Sequence, residues 1–109
     1  MEIGIDLVEH QDSRFEEERF IRYVLSPKEQ AVLETITSAK RRIEYVASRF
    51  AAKEAVIKCL KKKISFQKIT VLNDKNGAPF LQVESSETEL RLSITHTVNY
   101  SVAVVISLP

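Results

Sequence analysis

The stretch Phe50-Ala51-Ala52-Lys53-Glu54-Ala55-Val56-Ile57-Lys58 decides how the chain is read. It lies inside the longest helical pattern, roughly 39 to 60, and after that pattern the hydrophobic period changes from 3.6 to 2. On a 3.6-residue repeat Ile43, Ala47, Phe50, Glu54, Ile57 and Lys61 share one face. Burying an unpaired carboxylate on an apolar face is costly unless something cationic meets it, and a metal ion is such a partner.

Working outward, two shorter helical patterns precede this helix, from about Ser13 to Leu25 and from Pro27 to about Ile36. Ser26 as N-cap, Pro27 at the first helical position and Glu29 three residues after the cap mark the start of the second. A short strand, Ile3 to Val8, opens the chain, with Ile3, Ile5 and Leu7 on one face and Gly4, Asp6 and Val8 on the other. Beyond the long helix, Ile69 to Leu72 and Pro79 to Val83 flank a turn, Asn73 to Gly77, whose Asn and Gly residues tolerate positive φ. Leu90 to Thr95 and Tyr100 to Ser107 flank a tighter connection around Thr97 to Asn99. Residues Val102 to Ile106 are apolar on both faces, which predicts a central strand with a helix or another subunit over its outer side. The fold class is α+β: an N-terminal strand, three helices including one long helix, then an antiparallel β-meander.

The chain has 109 residues, enough for a single domain, 1–109, with a small core. A ligand site therefore belongs on the surface or between subunits. No run of about 18 apolar residues and no export signal is present, so no membrane partner and a cytoplasmic location are expected. Cys59 is the single cysteine, without a partner for a disulfide, and reads as a small buried hydrophobe.

The net charge of +1 hides a segregation: nine basic residues between Lys40 and Lys63 stand against Glu44 and Glu54, leaving seven basic and thirteen acidic residues elsewhere. Such a field favours anionic ligands, either phosphates or an acidic protein surface. The bland alternative is a solvated helix face.

Three polar placements stand out. Asp6 interrupts an apolar strand, where a strand-end turn or a cap is the ordinary explanation. Glu54 and Lys58 have the i, i+4 spacing of a surface ion pair, which explains Lys58 better than it explains a carboxylate among apolar neighbours. His96 shares the parity of Leu92 and Ile94 and alone reads as a sheet-edge histidine. Together they suggest more. Two carboxylates with few other ligands is the usual way a protein holds Mg²⁺, whose shell is completed by water and substrate phosphate. Arg49, Lys53, Lys58 and His96 are then placed to neutralise charge as a phosphate bond breaks. Spacing alone leaves hydrolysis, transfer and nucleotide binding open.

Three segments in register carry a resemblance: Gly4-Ile5-Asp6-Leu7-Val8-Glu9, Arg49 to Lys58, and Ser93-Ile94-Thr95-His96-Thr97, with the Asn76-Gly77-Ala78-Pro79 turn between the last two. In these the chain resembles the holo-[acyl-carrier-protein] synthases, over nearly its whole length. The resemblance implies the 4′-phosphopantetheinyl transferase fold and a Mg²⁺-dependent enzyme of fatty acid biosynthesis. Such an enzyme moves 4′-phosphopantetheine from coenzyme A to a serine of acyl carrier protein and releases adenosine 3′,5′-bisphosphate. It assigns Asp6 and Glu54 to the metal, and serine deprotonation to Glu54 or a water it orients. Lys58 is assigned to the leaving phosphate. Arg49, Lys58 and His96 are assigned to coenzyme A, Lys58 and His96 also to catalysis, and the charge reading adds Lys53 to the coenzyme A set. Carrier docking falls to Arg14, Arg19 and Arg22, and the assembly is a homotrimer with sites at subunit interfaces.

The chain departs from the family pattern after Lys58, where Cys59-Leu60-Lys61-Lys62-Lys63-Ile64 replaces a Gly-Thr-Gly type turn. Glycine lets backbone amides approach phosphate, so the lysines point to contact through side-chain charge or to a remodelled pocket mouth. Two other readings have distinct signatures. A nucleic-acid- or polyanion-binding module on Lys40 to Lys63 needs no Mg²⁺ and survives loss of Glu54. A pyrophosphatase on the same carboxylates needs no carrier protein. With the transferase reading, no nucleic acid partner is expected.

Overall fold

A computed structural model describes residues 1–84 and 86–109. Its strands form two antiparallel sheets. In the larger, β5 (Tyr100–Ser107) runs between β1 (Ile3–Glu9) and β4 (Leu90–His96), and in the smaller β2 (Ile69–Asn73) pairs with β3 (Pro79–Val83). The helices are α1 (Glu18–Val24), α2 (Pro27–Glu34) and α3 (Ala39–Leu60). The α+β class, the hairpins and the central place of the last strand agree with the sequence reading. The single meander does not, because β3 and β4 are neighbours without pairing. Period-2 patterning defines strands and hairpins but carries no information on which hairpin edges join.

Helix α3 crosses the inner face of the larger sheet. Ala51, Ala52 and Ala55 are fully buried there with Val56, Cys59, Ala103 and Val105, so small side chains let strand and helix approach closely. The closest approach is at Gly4, where a Cβ would lie 2.1 Å from the Ala55 carbonyl oxygen and 2.7 Å from the Cys59 amide nitrogen. Any side chain at Gly4 would push β1 off the helix, and Asp6 lies two residues further along the same face. Cys59 is buried, as expected of a small hydrophobe.

A second core gathers Phe15, Val24, Leu25, Leu33, Val46, Ala47 and Phe66 under α1 and α2. The helical pattern expected from Ser13 to Leu25 is broken here. A 3₁₀ turn spans Ser13–Glu16, Glu17 is extended at φ −86° and ψ 120°, and α1 begins at Glu18. Phe15 is buried against the Phe50 ring at 5.7 Å, and this tertiary contact outweighs helical continuity. Helix α2 ends at Glu34, short of Ile36, where the Arg42 guanidinium donates to the Leu33 and Ile36 carbonyls.

Among the described residues no helix covers the outer face of the larger sheet. Ile3, Ile5 and Leu7 are 66%, 58% and 63% exposed, and they lie opposite Ile106, Val104 and Val102 in the β1–β5 register. The chain thus presents an apolar sheet face to solvent, with these three residues of β1 exposed and their three partners on β5 half-buried.

Candidate active site

Alternation along β1 turns Asp6 toward α3, and the i, i+4 spacing sets Glu54 and Lys58 one turn apart on the helix beside it. The Lys58 ammonium donates to Asp6 Oδ1 at 2.9 Å and to the Ile5 carbonyl at 3.0 Å. Lys58 therefore bridges helix to strand; among the described residues no ion pair joins it to Glu54. Glu54 is half-buried. Burial first, and the negative charge of Asp6 second, raise its pKa, while Lys58 and Arg14 pull it back. Asp6 raises the cost of ionising Glu54, and such a pair of carboxylates is suited to a cation.

Both line an open cleft of about 740 Å³ with Glu9, Asp12, Arg14 and Phe50. Arg14 is held there by Asp12, Nη2 to Oδ2 at 2.7 Å, with its guanidinium 4.8 Å from the Phe20 ring centroid. The hydrogen bonds from Arg14 hold the Asp12 carboxyl below its ordinary range. Arg14 thus enters the carboxylate cleft, whereas Arg19 and Arg22 are exposed on α1, Arg22 on Glu18 at 2.6 Å.

Arg49 and His96 occupy a different cleft of about 500 Å³ with Arg41, Glu44, Tyr45 and Asn73. Arg49 is buried. Its Nη2 donates to Asn73 Oδ1 at 2.6 Å, and its guanidinium lies 4.1 Å from the Tyr45 ring centroid. Its Nε and the Tyr45 hydroxyl are buried without a hydrogen-bond partner among the described residues. Burial lowers the pKa of Arg49, against the pull of Tyr45 and Glu29, yet an arginine stays charged. A buried cation beside two unpaired polar atoms is suited to an anion. His96, at the end of β4, is exposed.

Lys53 belongs to neither cleft, which corrects its assignment to coenzyme A. It is 0% exposed, and its ammonium is held by Glu29 Oε1 at 2.6 Å and the Val24 and Phe66 carbonyls at 2.6 and 3.0 Å. Burial lowers its pKa and Glu29 restores part of the loss. Glu29 also accepts from the Ser26 and Val71 amides at 2.8 and 2.7 Å. The capping box read in the sequence is thus half of a buried junction that joins α2, α3 and β2.

The basic field is correspondingly smaller than the residue count suggests. Arg49 and Lys53 are buried, Arg42 caps α2, Lys58 pairs with Asp6, and Lys61 pairs with Glu2 at 3.2 Å. Lys61 caps α3 at φ 57°, a left-handed conformation that glycine adopts more readily. Lys62 and Lys63 beyond it are exposed. Sequence reasoning did not find Tyr45 or Asn73 beside Arg49; the i, i+4 spacing of Tyr45 and Arg49 was the available signal for the first.

A family model described as the 4′-phosphopantetheinyl transferase superfamily matches residues 2–105. A holo-[acyl-carrier-protein] synthase from Petrotoga mobilis is 36% identical over 113 residues, covering 95% of this chain and 92% of its own. One from Anoxybacillus flavithermus is 41% identical at the same coverages. A crystal structure of a holo-(acyl-carrier-protein) synthase from Bacillus anthracis in complex with CoA (3′,5′-ADP) superposes with a TM-score of 0.90 at 35% identity, over 97% of this chain and 94% of that one.

Proposed function

The chain belongs to the 4′-phosphopantetheinyl transferase superfamily, among the holo-[acyl-carrier-protein] synthases, and on that premise we propose how its two clefts carry out the transfer. The substrates are coenzyme A and a serine of apo-acyl carrier protein, and the products are holo-carrier and adenosine 3′,5′-bisphosphate. The observation that carries the reading is the meeting of Asp6, Glu54 and Lys58 at one strand–helix crossing.

The donor set fits Mg²⁺. Among the described residues no group of three or more His, Cys, Asp or Glu is placed to hold a metal ion together; Asp6 and Glu54 would supply two hard oxygen ligands and leave the rest of the shell to water and phosphate. When bound, the ion would neutralise pyrophosphate charge. The residues do the remainder. Glu54, whose proton affinity is raised by burial and by Asp6, accepts the proton of the attacking serine. The serine oxygen bonds to the phosphorus bearing the pantetheine arm, and the bond from that phosphorus to the oxygen bridging to the nucleotide phosphate breaks. Lys58 moves from Asp6 to the departing phosphate and stabilises its charge. Arg49 and His96 hold the nucleotide end, and Lys62 and Lys63 offer charge where relatives have glycine.

A homotrimer accounts for two other features. The apolar face formed by β1 and β5 needs cover, and the two clefts of one protomer are separate, so one protomer's carboxylates would work with a neighbour's Arg49 and His96. Arg14, Arg19 and Arg22 form the proposed docking surface for the acidic carrier. No helix among the described residues is long and apolar enough to cross a membrane. On family grounds the proposed setting is the cytoplasm and the process fatty acid biosynthesis. A nucleic-acid-binding role is not favoured, because five of the nine cations it would use are already engaged within the protein.

The test is incubation with several apo carriers, coenzyme A and Mg²⁺, read by mass spectrometry. A carrier mass gain of one phosphopantetheine is expected, and its absence with folded enzyme would refute the proposal.

A further inference from the structure

The chain leaves β1 through His10, a buried imidazole that the reaction above does not use. Both ring nitrogens are engaged: Nδ1 lies 3.0 Å from the Val98 carbonyl oxygen and Nε2 lies 2.7 Å from Ser101 Oγ. The His10 backbone amide adds a third bond, to the Asn99 carbonyl at 2.8 Å. A carbonyl only accepts, so Nδ1 carries the hydrogen, and in the neutral ring Nε2 accepts from the Ser101 hydroxyl. Ser101 is fully buried and pairs directly with His96 in the β4–β5 register. The His10 and His96 ring centroids are 6.3 Å apart.

These contacts have one geometric effect. The turn between β4 and β5 is short and exposed, and its own bonds run among His96, Thr97, Asn99 and Tyr100, with His96 Nδ1 3.2 Å from the Thr97 carbonyl oxygen. His10 ties it to the strand that carries Asp6 at three points, Val98, Asn99 and Ser101.

We propose that His10 is a positioning residue that fixes the β4–β5 turn, and with it His96, relative to β1. Its catalytic consequence rests on the role given to His96 above; its structural consequence does not. Without the ring nitrogens the Val98 carbonyl and the buried Ser101 hydroxyl lose their partners, and the turn samples arrangements that carry His96 away from the nucleotide end of coenzyme A.

The experiment compares His10→Leu, which keeps the apolar bulk, with His10→Gln, whose amide offers one donor and one acceptor. Ser101→Ala is a milder variant that loses only the hydroxyl. Amide exchange at Thr97 and the NMR signals of the His96 ring are read without substrate, and KM for coenzyme A and kcat with it. His10→Leu should speed Thr97 exchange, shift the His96 signals and raise KM by roughly 3- to 10-fold, with a smaller change in kcat. His10→Gln should restore most of each, and Ser101→Ala should move each partway. Unchanged Thr97 exchange and His96 signals in folded His10→Leu, or in Ser101→Ala if the first does not fold, would overturn the proposal. Altered exchange with KM unchanged would uphold the positioning role and overturn the function assigned to His96.

Discussion

The Lys58 ammonium stands 2.9 Å from Asp6 Oδ1, although the helix spacing offers it Glu54 one turn earlier. A cation bound at Asp6 must share or displace that ammonium. Lys58→Ala should therefore bind Mn²⁺ more tightly than the parent enzyme, followed by electron paramagnetic resonance without coenzyme A. Transfer should fall by about 10²-fold or more, since the leaving phosphate loses its countercharge. Weaker Mn²⁺ binding would show that Lys58 supports the carboxylate pair instead of competing for it.

Glu54 makes stability depend on pH in a defined direction. Its native pKa lies above its ordinary value of 4.5, first through burial and then through Asp6, so the native state holds the proton more firmly than the unfolded chain. The stabilising contribution is complete below pH 4.5 and is lost as pH rises through the higher native value. Glu54→Gln removes this dependence. In chelator, urea unfolding should find it equal to the parent near about pH 4 and more stable near about pH 7. Mg²⁺ should raise the parent's Tm and leave that of Glu54→Gln unchanged.

Lys53→Met should act on stability and not on substrate affinity. It leaves Glu29 charged, buried and short of its partner, which costs about 3–5 kcal/mol in urea unfolding. Adding Glu29→Gln should recover part of that loss. The folded variant should keep its KM for coenzyme A, and a raised KM would return Lys53 to the ligand site.

Much of this arrangement was legible in the sequence. The long helix, the hairpins and the pairing of Asp6 with the Glu54 region follow from period, turn residues and charge out of place. The destination of Lys53 was not legible, because a lysine among alanines on a basic helix looks the same whether it faces solvent or a buried Glu29. The break at Glu17 depends on Phe15 meeting Phe50, a contact between residues 35 positions apart. Separation of Arg49 and His96 from the carboxylates was likewise invisible, since motif order along a chain does not say which residues share a cleft.

The exposed β1–β5 face gives a test of assembly. Under the proposed homotrimer, Ile5→Lys puts a charge at the centre of six aliphatic residues and should leave monomers where the parent sediments as a trimer, with the circular dichroism spectrum retained. Activity should fall with assembly. A fully active monomer would show that one protomer holds a complete site.

Mixed assemblies test the proposed trimer and its shared site most directly. Asp6→Ala and His96→Ala, each first assayed alone at coenzyme A well below the parent KM, where both should be strongly impaired, are unfolded together in equal amounts, refolded and supplied with apo carrier, coenzyme A and Mg²⁺. If each site takes Asp6 from one subunit and His96 from the next, about one quarter of the junctions regain both residues, and holo-carrier should form at about one quarter of the parent rate. Formation no faster than the sum of the two variants refolded separately would contradict a site shared between subunits.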